Sequence, residues 1–296
     1  MGGVFCVGHA VQDFVFAMPS IPTRAQKHRA SDFSSVGGGP AATAAVVVAK
    51  LGGHAQLAAR LGDDSVADLI VAELQGYGVD CEQVRRFPGR RSSVSSVVVD
   101  ARGERLIVNY LDPQLPASAD WLPALPADAA AVLADTRWPE GAAAMLARAK
   151  AAGIPGVLDA DLPVPRDTAA LAAASHIAFS APGLADYAGR GDYKSALQEV
   201  AAATGAWCCV TLGAGGVFYV AGAHSDHLPA FAVQPVDTLG AGDTWHGAFA
   251  LALAEGRGEV EAVTFASAAA ALKVQRFGGR DGVPSRVEVE RLIRSR

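Results

Sequence analysis

The sequence predicts a doubly wound α/β fold: a mostly parallel sheet flanked by helices, with a small β-sheet beside it as a lid. Three observations carry this expectation. From the middle of the chain onward, short β-rich apolar runs alternate with longer Ala-rich helical patterns, as βαβ units do. Two β-rich segments in the first third carry no helical period and fall outside that alternation. The composition, 51% apolar and 19% charged over 296 residues, suits a chain that buries a large core.

From the amino terminus, Val4-Val7 reads as a first strand. The segment Asp13 to Val36 then carries two prolines and no helical period, which suits a small projecting sheet. Ser92-Val99 and Arg105-Asn109 read as strands joined by Asp100-Ala101-Arg102-Gly103-Glu104, a hairpin-like connection. The alternation follows: strand Ala130-Leu133, helix Gly141-Ala152, strand Gly156-Asp159, helix Asp167-Ala174, strand His176-Phe179. Cys208-Thr211 and Val217-Val220 add strands, and helical patterns at Ala241-Ala254, Val260-Gln275 and Arg286-Arg294 close the chain. No internal repeat or low-complexity linker divides it, so one domain over 1–296 is expected, with a lid formed by about 13–36 and 92–110.

A net charge of −5 and the lack of a basic block interleaved with aromatics argue against a nucleic-acid surface. The Arg85-Arg86 and Arg90-Arg91 pairs flanking Pro88-Gly89 read as a solvated turn. Cys6, Cys81, Cys208 and Cys209 lack paired-thiolate spacing and fit buried free thiols in a reducing cytoplasm. The start lacks the basic region of a secretory signal, and the densest apolar stretch, Ala41 to Ala49, is too short to span a bilayer. A cytoplasmic protein with no membrane partner is expected. A phosphate loop ending in Gly-Lys-Ser/Thr, a dinucleotide glycine fingerprint and a serine nucleophile elbow are all missing. The seven histidines show no metal-ligand spacing and read as structural or surface residues; for His246, one helical turn beyond Asp243, the alternative is to face a site there.

The chemistry concentrates in Asp237-Thr238-Leu239-Gly240-Ala241-Gly242-Asp243, which runs into an apolar helical pattern. A small-residue turn at a helix start presents backbone N–H groups and the positive end of the helix dipole, a ready anion site. Gly240 and Gly242 allow a phosphate to approach the backbone, and Asp243 in the first turn can accept a proton from an incoming hydroxyl. The alternative is a glycine-rich loop whose Asp only helps to start the helix.

This stretch resembles the C-terminal signature of the ribokinase/PfkB carbohydrate kinases. The resemblance implies a ribokinase-like fold, Asp243 as the base, and Gly240, Ala241 and Gly242 as the anion hole. Val36-Gly37-Gly38-Gly39-Pro40-Ala41-Ala42-Thr43-Ala44 resembles the family's N-terminal signature, which implies that Gly38, Gly39 and Thr43 lie against the sugar. Gly8 followed by Asp13 resembles the first-strand motif, whose Asp binds sugar hydroxyls. Thr211-Leu212-Gly213 with Gly215-Gly216 resembles the nucleotide-side turn, and Gly278-Gly279 with Pro284 falls where the family closes the adenine side. These features keep family order over nearly the whole chain. They imply ATP as phosphate donor, Mg²⁺ on its phosphates, in-line transfer to a sugar hydroxyl, and a homodimer formed through the lid. Two departures stand out: Ala42 where the family usually carries Asn, and Ser180-Ala181-Pro182-Gly183 where Asn-x-x-Glu usually arranges Mg²⁺. The metal ligands are therefore unassigned.

Within the family, GGGPAATAA, GERLIVNY, the run Leu133 to Trp138, Phe179 to Ala185 and Gly278 to Pro284 are similar to the sulfofructose kinases, which phosphorylate 6-deoxy-6-sulfofructose at its 1-hydroxyl. That similarity implies a sulfonate pocket of Lys27, Asn109 and Arg137, whose donors suit three acceptor oxygens and a permanent charge. Lys27 is otherwise a solvated loop charge, and Arg137 a partner of Asp135 or Asp161. Asp159 and Asp161 are further candidates for the site. A 2-keto-3-deoxygluconate, fructose or ribose kinase is the enzymatic alternative, and a non-catalytic sugar or nucleotide sensor the alternative of another class.

Overall fold

A computed structural model describes residues 2–166, 169–189 and 191–296. Met1 and the first two residues of the predicted helix Asp167-Ala174 lie outside these; its described part is helical over Ala169–Ala173. The chain runs β1 (Gly3–Gly8), β2 (Val11–Ala17), β3 (Asp32–Gly38), α1 (Pro40–Lys50), β4 (His54–Gly62), α2 (Ser65–Gly76), β5 (Val84–Phe87), β6 (Ser93–Val99) and β7 (Arg105–Tyr110). It continues through β8 (Ala129–Asp135), α3 (Pro139–Ala152), β9 (Gly156–Ala160), α4 (Ala169–Ala173), β10 (His176–Ser180), α5 (Ala181–Ala188), α6 (Tyr193–Thr204), β11 (Trp207–Thr211), β12 (Val217–Ala221) and β13 (His224–Leu228). Helices α7 (Ala241–Ala254), α8 (Glu259–Val274) and α9 (Arg286–Arg294) close it.

The strands form two sheets. The larger has the order β13-β12-β11-β10-β9-β8-β1-β4-β5, parallel from β11 to β5 and antiparallel at β12 and β13. Its central strands are apolar without alternation because both faces are covered, as parallel sheets require. In β1, Val4 and Cys6 enter one core layer with α1, α7 and α8, while Phe5 and Val7 enter the other with α3 and α6. That division is the doubly wound architecture the alternation predicts. Among the described residues no helix is long and apolar enough to cross a membrane.

The smaller sheet has the order β3-β2-β6-β7, in which two antiparallel hairpins are joined by parallel pairing of β2 with β6. Every residue of its edge strand β7 is exposed. The β-rich segments of the sequence reading are these strands, with bounds that differ by a residue or two. One reading needs correction: Arg85 and Arg86 belong to β5 rather than to a solvated turn. Arg86 pairs with Asp68 at 2.6 Å, and the Arg85 guanidinium lies over the rings of Phe87 and Trp121. The thiols of Cys6, Cys208 and Cys209 are free and buried, while Cys81 is only partly so.

Helix α1 is set by its first residues. Pro40 opens it with a fixed φ and no N–H to satisfy. Gly39 before it has φ 94°, and a Cβ there would stand 2.4 Å from the carbonyl oxygen of His9. The amide of Ala41 donates to Asp135 Oδ2 at 3.1 Å and that of Ala42 to His9 O at 3.3 Å, so groups from the ends of β8 and β1 satisfy the start of α1.

Candidate active site

The carboxyl ends of the parallel strands and the starts of α1 and α7 converge on one edge of the main sheet, where open α/β sheets bind ligands. Gly240 precedes α7 in the left-handed conformation, φ 71°, which turns the chain into the helix. The hydroxyl of Thr244 and its N–H both return to Gly240 O, at 2.7 and 2.9 Å, closing the first turn. The N–H groups of Gly242 and Asp243 have no carbonyl one turn earlier in the helix, which leaves donors for an anion. Asp243 is partly buried beside them. Burial foremost, and then the Asp159 carboxylate, pushes its pKa up to about 7, against the pull of His246 and Arg280.

His246 takes the structural role. It is buried behind Asp243, with Nε2 3.3 Å from the carbonyl oxygen of Ala178 and Nδ1 3.3 Å from Asp159 Oδ2. Burial and the neighbouring Asp135 and Asp161 carboxylates drive the Asp159 pKa upward.

On the other side of Asp243 stands the smaller sheet. Asp13 on β2, Ser95 on β6 and Asn109 on β7 are in one register row. Asn109 Nδ2 donates to Ser95 Oγ at 3.1 Å, and burial raises the Asp13 pKa against a hydrogen bond from Ser95. Asp13 reaches Gly38 so closely that a Cβ there would stand 2.4 Å from Asp13 Oδ2. Arg280, 4% exposed, ties this row to the anion site: it donates to Gly38 O (2.9 Å), Thr43 Oγ1 (3.3 Å) and Glu73 Oε1 (3.1 Å), and its charge acts on Asp243. Thr43 lies against the Gly240 turn, its Cγ2 3.8 Å from where a Gly240 Cβ would be. The structure therefore brings Asp13, Gly38, Gly39, Thr43, Asn109, Gly240, Ala241, Gly242 and Asp243 to one face.

The proposed anion trio is less united. Arg137, just past β8, donates its N–H to Asp135 Oδ1 at 2.9 Å, and its guanidinium makes a loose 3.9 Å pair with Asp161. Lys27 is exposed on the connection between β2 and β3, with no charged partner among the described residues. Farther along the sheet edge, Thr211 ends β11 with its hydroxyl 3.3 Å from Phe179 O, and Gly213 to Gly215 form one 3-10 turn beyond it. The Gly278 N–H donates to Asp237 Oδ2 at 3.2 Å, joining that loop to the start of the Gly240 turn.

The Ser180 to Gly183 departure has a physical form. Ser180 caps α5, its Oγ accepting from Gly183 N at 3.0 Å and donating to Asp161 Oδ1 at 2.6 Å. A Cβ on Gly183 would stand 2.4 Å from Ala160 O, so no acidic side chain fits there without a shift of backbone. Among the described residues no three His, Cys, Asp or Glu side chains form a metal cluster. Mg²⁺ needs no such cage, since it rides on phosphate oxygens and water with one or two carboxylates. Asp159 Oδ1, buried and unpaired, and the 46% exposed Asp161 fit that requirement.

Sequence reasoning missed Arg280 and Asp135 as parts of this face. The signal for Asp135 was present, an acid ending an apolar strand run; nothing local marks Arg280, whose partners Gly38 and Thr43 lie more than two hundred positions away.

A glycine turn at a helix start, a raised carboxylate in its first turn and a polar sheet face opposite describe the class of α/β phosphotransferases that use a general base. The model of pfkB family carbohydrate kinases matches residues 1–286, and the chain belongs to that family. It is similar to the ribokinase of Bacillus subtilis, 30% identical over 99% of this chain and all of that one, and to a fructokinase of Vibrio alginolyticus, 28% identical over 86% of this chain and 91% of that one. Among solved structures, a ribokinase candidate from Agrobacterium tumefaciens is 37% identical with a TM-score of 0.93, covering 99% and 98% of the two chains. The ribokinase of Arabidopsis thaliana complexed with ribose and ATP is 26% identical with a TM-score of 0.85, covering 99% and 98%. The protein is a carbohydrate kinase with a ribokinase-like fold.

Proposed function

We propose that the protein transfers the γ-phosphate of ATP to a sugar hydroxyl, with Asp243 as general base, and that the sugar is 6-deoxy-6-sulfofructose, phosphorylated at its 1-hydroxyl. The observation that carries the reaction is Asp243 itself: a partly buried carboxylate with a pKa raised to about 7 beside unpaired helix-start N–H groups. In this reading ATP lies across the carboxyl edge of the main sheet, with Thr211, Gly213, Gly215 and Gly278 on its nucleotide side and Gly240 to Gly242 at its γ-phosphate. Asp13, Gly38, Gly39 and Thr43 orient the sugar, Asp243 takes the hydroxyl proton as phosphorus is attacked in line, and no phosphoenzyme forms. Asp161 and Asp159 would hold Mg²⁺, which would neutralise phosphate charge. The smaller sheet serves as a lid that excludes water.

The sulfonate assignment is supported by Arg137 and Asn109 at the sugar face. The 3.9 Å pair of Arg137 with Asp161 is long enough for a sulfonate to replace, and the Asn109 amide, which donates to Val94 O and Ser95 Oγ, would turn to the sulfonate from those acceptors. Lys27, exposed and unengaged, completes the trio when its connection folds inward. Ribose and fructose are the rivals, since relatives carry those names. The deciding experiment is ATP consumption with Mg²⁺ against 6-deoxy-6-sulfofructose, fructose, fructose 6-phosphate, ribose and 2-keto-3-deoxygluconate. Selective turnover of the sulfonate supports the assignment; preference for a neutral sugar discards it and keeps the kinase. We further propose a homodimer formed through the smaller sheet and a cytoplasmic location.

A further inference from the structure

Asp237, at the foot of the Gly240 turn, is 7% exposed, and four donors converge on its carboxylate. Leu239 N donates to Oδ1 at 2.9 Å from the turn itself, and Gly278 N to Oδ2 at 3.2 Å from the loop after α8. Lys273 Nζ, on α8 and fully buried, lies 3.3 Å from Oδ2 and 3.1 Å from the Asp237 carbonyl oxygen. The fourth donor comes from the smaller sheet: Arg105, first residue of β7, places Nη2 2.9 Å from Oδ1. Burial pushes the Asp237 pKa up, but these N–H groups and the Lys273 ammonium outweigh it and hold the group ionised.

The two cations are unequal. Lys273 is enclosed, and removing it strands a buried carboxylate. Arg105 keeps 30% of its side chain exposed, so its bond breaks and re-forms without opening the core. It spans 132 positions of sequence to join the smaller sheet to the very turn whose amides face the phosphate. Two positive charges on one carboxylate also leave a net positive charge at the root of the anion site.

We propose that Arg105 is a positioning residue: through Asp237 it latches the smaller sheet to the anion-hole turn, so that the turn is held for phosphoryl transfer only while the sheet is seated over the sugar. Lys273 is the fixed counter-charge from behind. This rests on the reading of Gly240 to Gly242 as the phosphate site. With the latch broken, the sheet lifts more often, water reaches the γ-phosphate, and ATP is hydrolysed to ADP and phosphate without sugar phosphate being formed.

The test is Arg105→Met, with Arg105→Lys as the conservative variant. ADP and sugar phosphate are measured separately, using ATP, Mg²⁺ and the panel sugar turned over fastest, beside a no-sugar control. Arg105→Met is expected to lower kcat about tenfold, as small misplacements of a reacting group do, and to release more than one ADP per sugar phosphate. Arg105→Lys is expected to recover most of both. A purely structural role would lower the melting temperature and leave the ratio at one. Wild-type kcat with a ratio of one in Arg105→Met overturns the latch. Asp243→Asn assayed alongside reports on the base alone, so loss of one assignment is distinguishable from loss of the other.

Discussion

A carboxylate that must accept a proton works best with a pKa near the working pH, and Asp243 reaches that condition through burial and through Asp159 rather than through its own chemistry. Two outcomes follow at this scale. Asp243→Asn is expected to cut kcat by about 10²–10⁴ while leaving ATP affinity by calorimetry near wild type; wild-type rates in that variant would remove the base assignment. In the parent, kcat/KM is expected to rise with pH through about 7 and then level off, as the base loses its proton. The same shift has a sign for stability. Because the folded chain holds this proton more tightly than the ordinary value of 3.8 allows, the contribution of Asp243 to stability is largest at low pH and declines as pH rises toward about 7; Asp243→Asn is expected to flatten that decline in denaturant titrations. The Gly240 to Gly242 turn and Asp243 were legible as a helix start because they are contiguous in sequence. Arg280 was not, since its hydrogen bonds reach from position 280 to Gly38 and Thr43, and no local pattern encodes such a contact.

Among elements, those with a pure period were read well: the parallel strands β8 to β11 are short apolar runs, and α7 to α9 are long helical ones. Residues 54–84 were not assigned and Arg85-Arg86 was read as a turn, although 54–87 hold β4, α2 and β5. His54–Gly62 is rich in Ala, Leu and Arg, a composition that favours a helix in isolation; it becomes a strand because β1 pairs along it and both faces are covered. The α5 start shows an element setting chemistry. With Ser180 as cap and Ala160 O pressed on Gly183, the acid that the family resemblance implies at this point has no space. Gly183→Glu is therefore expected to destabilise the fold by about 1–3 kcal/mol, the usual range for overpacking, in urea unfolding, with no gain in Mg²⁺ affinity.

At the scale of the whole molecule, the exposed edge strand β7 presents Leu106, Ile107, Val108 and Tyr110 on a sheet that is open along that side. An unpaired apolar edge is a template for another strand, and a second copy of the chain offers the same edge. Sedimentation of the parent is expected to give a dimer, and Ile107→Lys a monomer with the main sheet intact by circular dichroism; a monomeric parent would exclude this interface. The smaller sheet has a further consequence. Its hairpins β2-β3 and β6-β7 are separated in the chain by β4, α2 and β5 of the larger sheet, yet β2 and β6 are paired. A lone two-stranded hairpin is marginal in water. Neither insertion would persist without the other, so recombination between related genes can exchange this cover only as a matched pair, and a chimera inheriting one half from each parent must preserve the β2-β6 seam to survive.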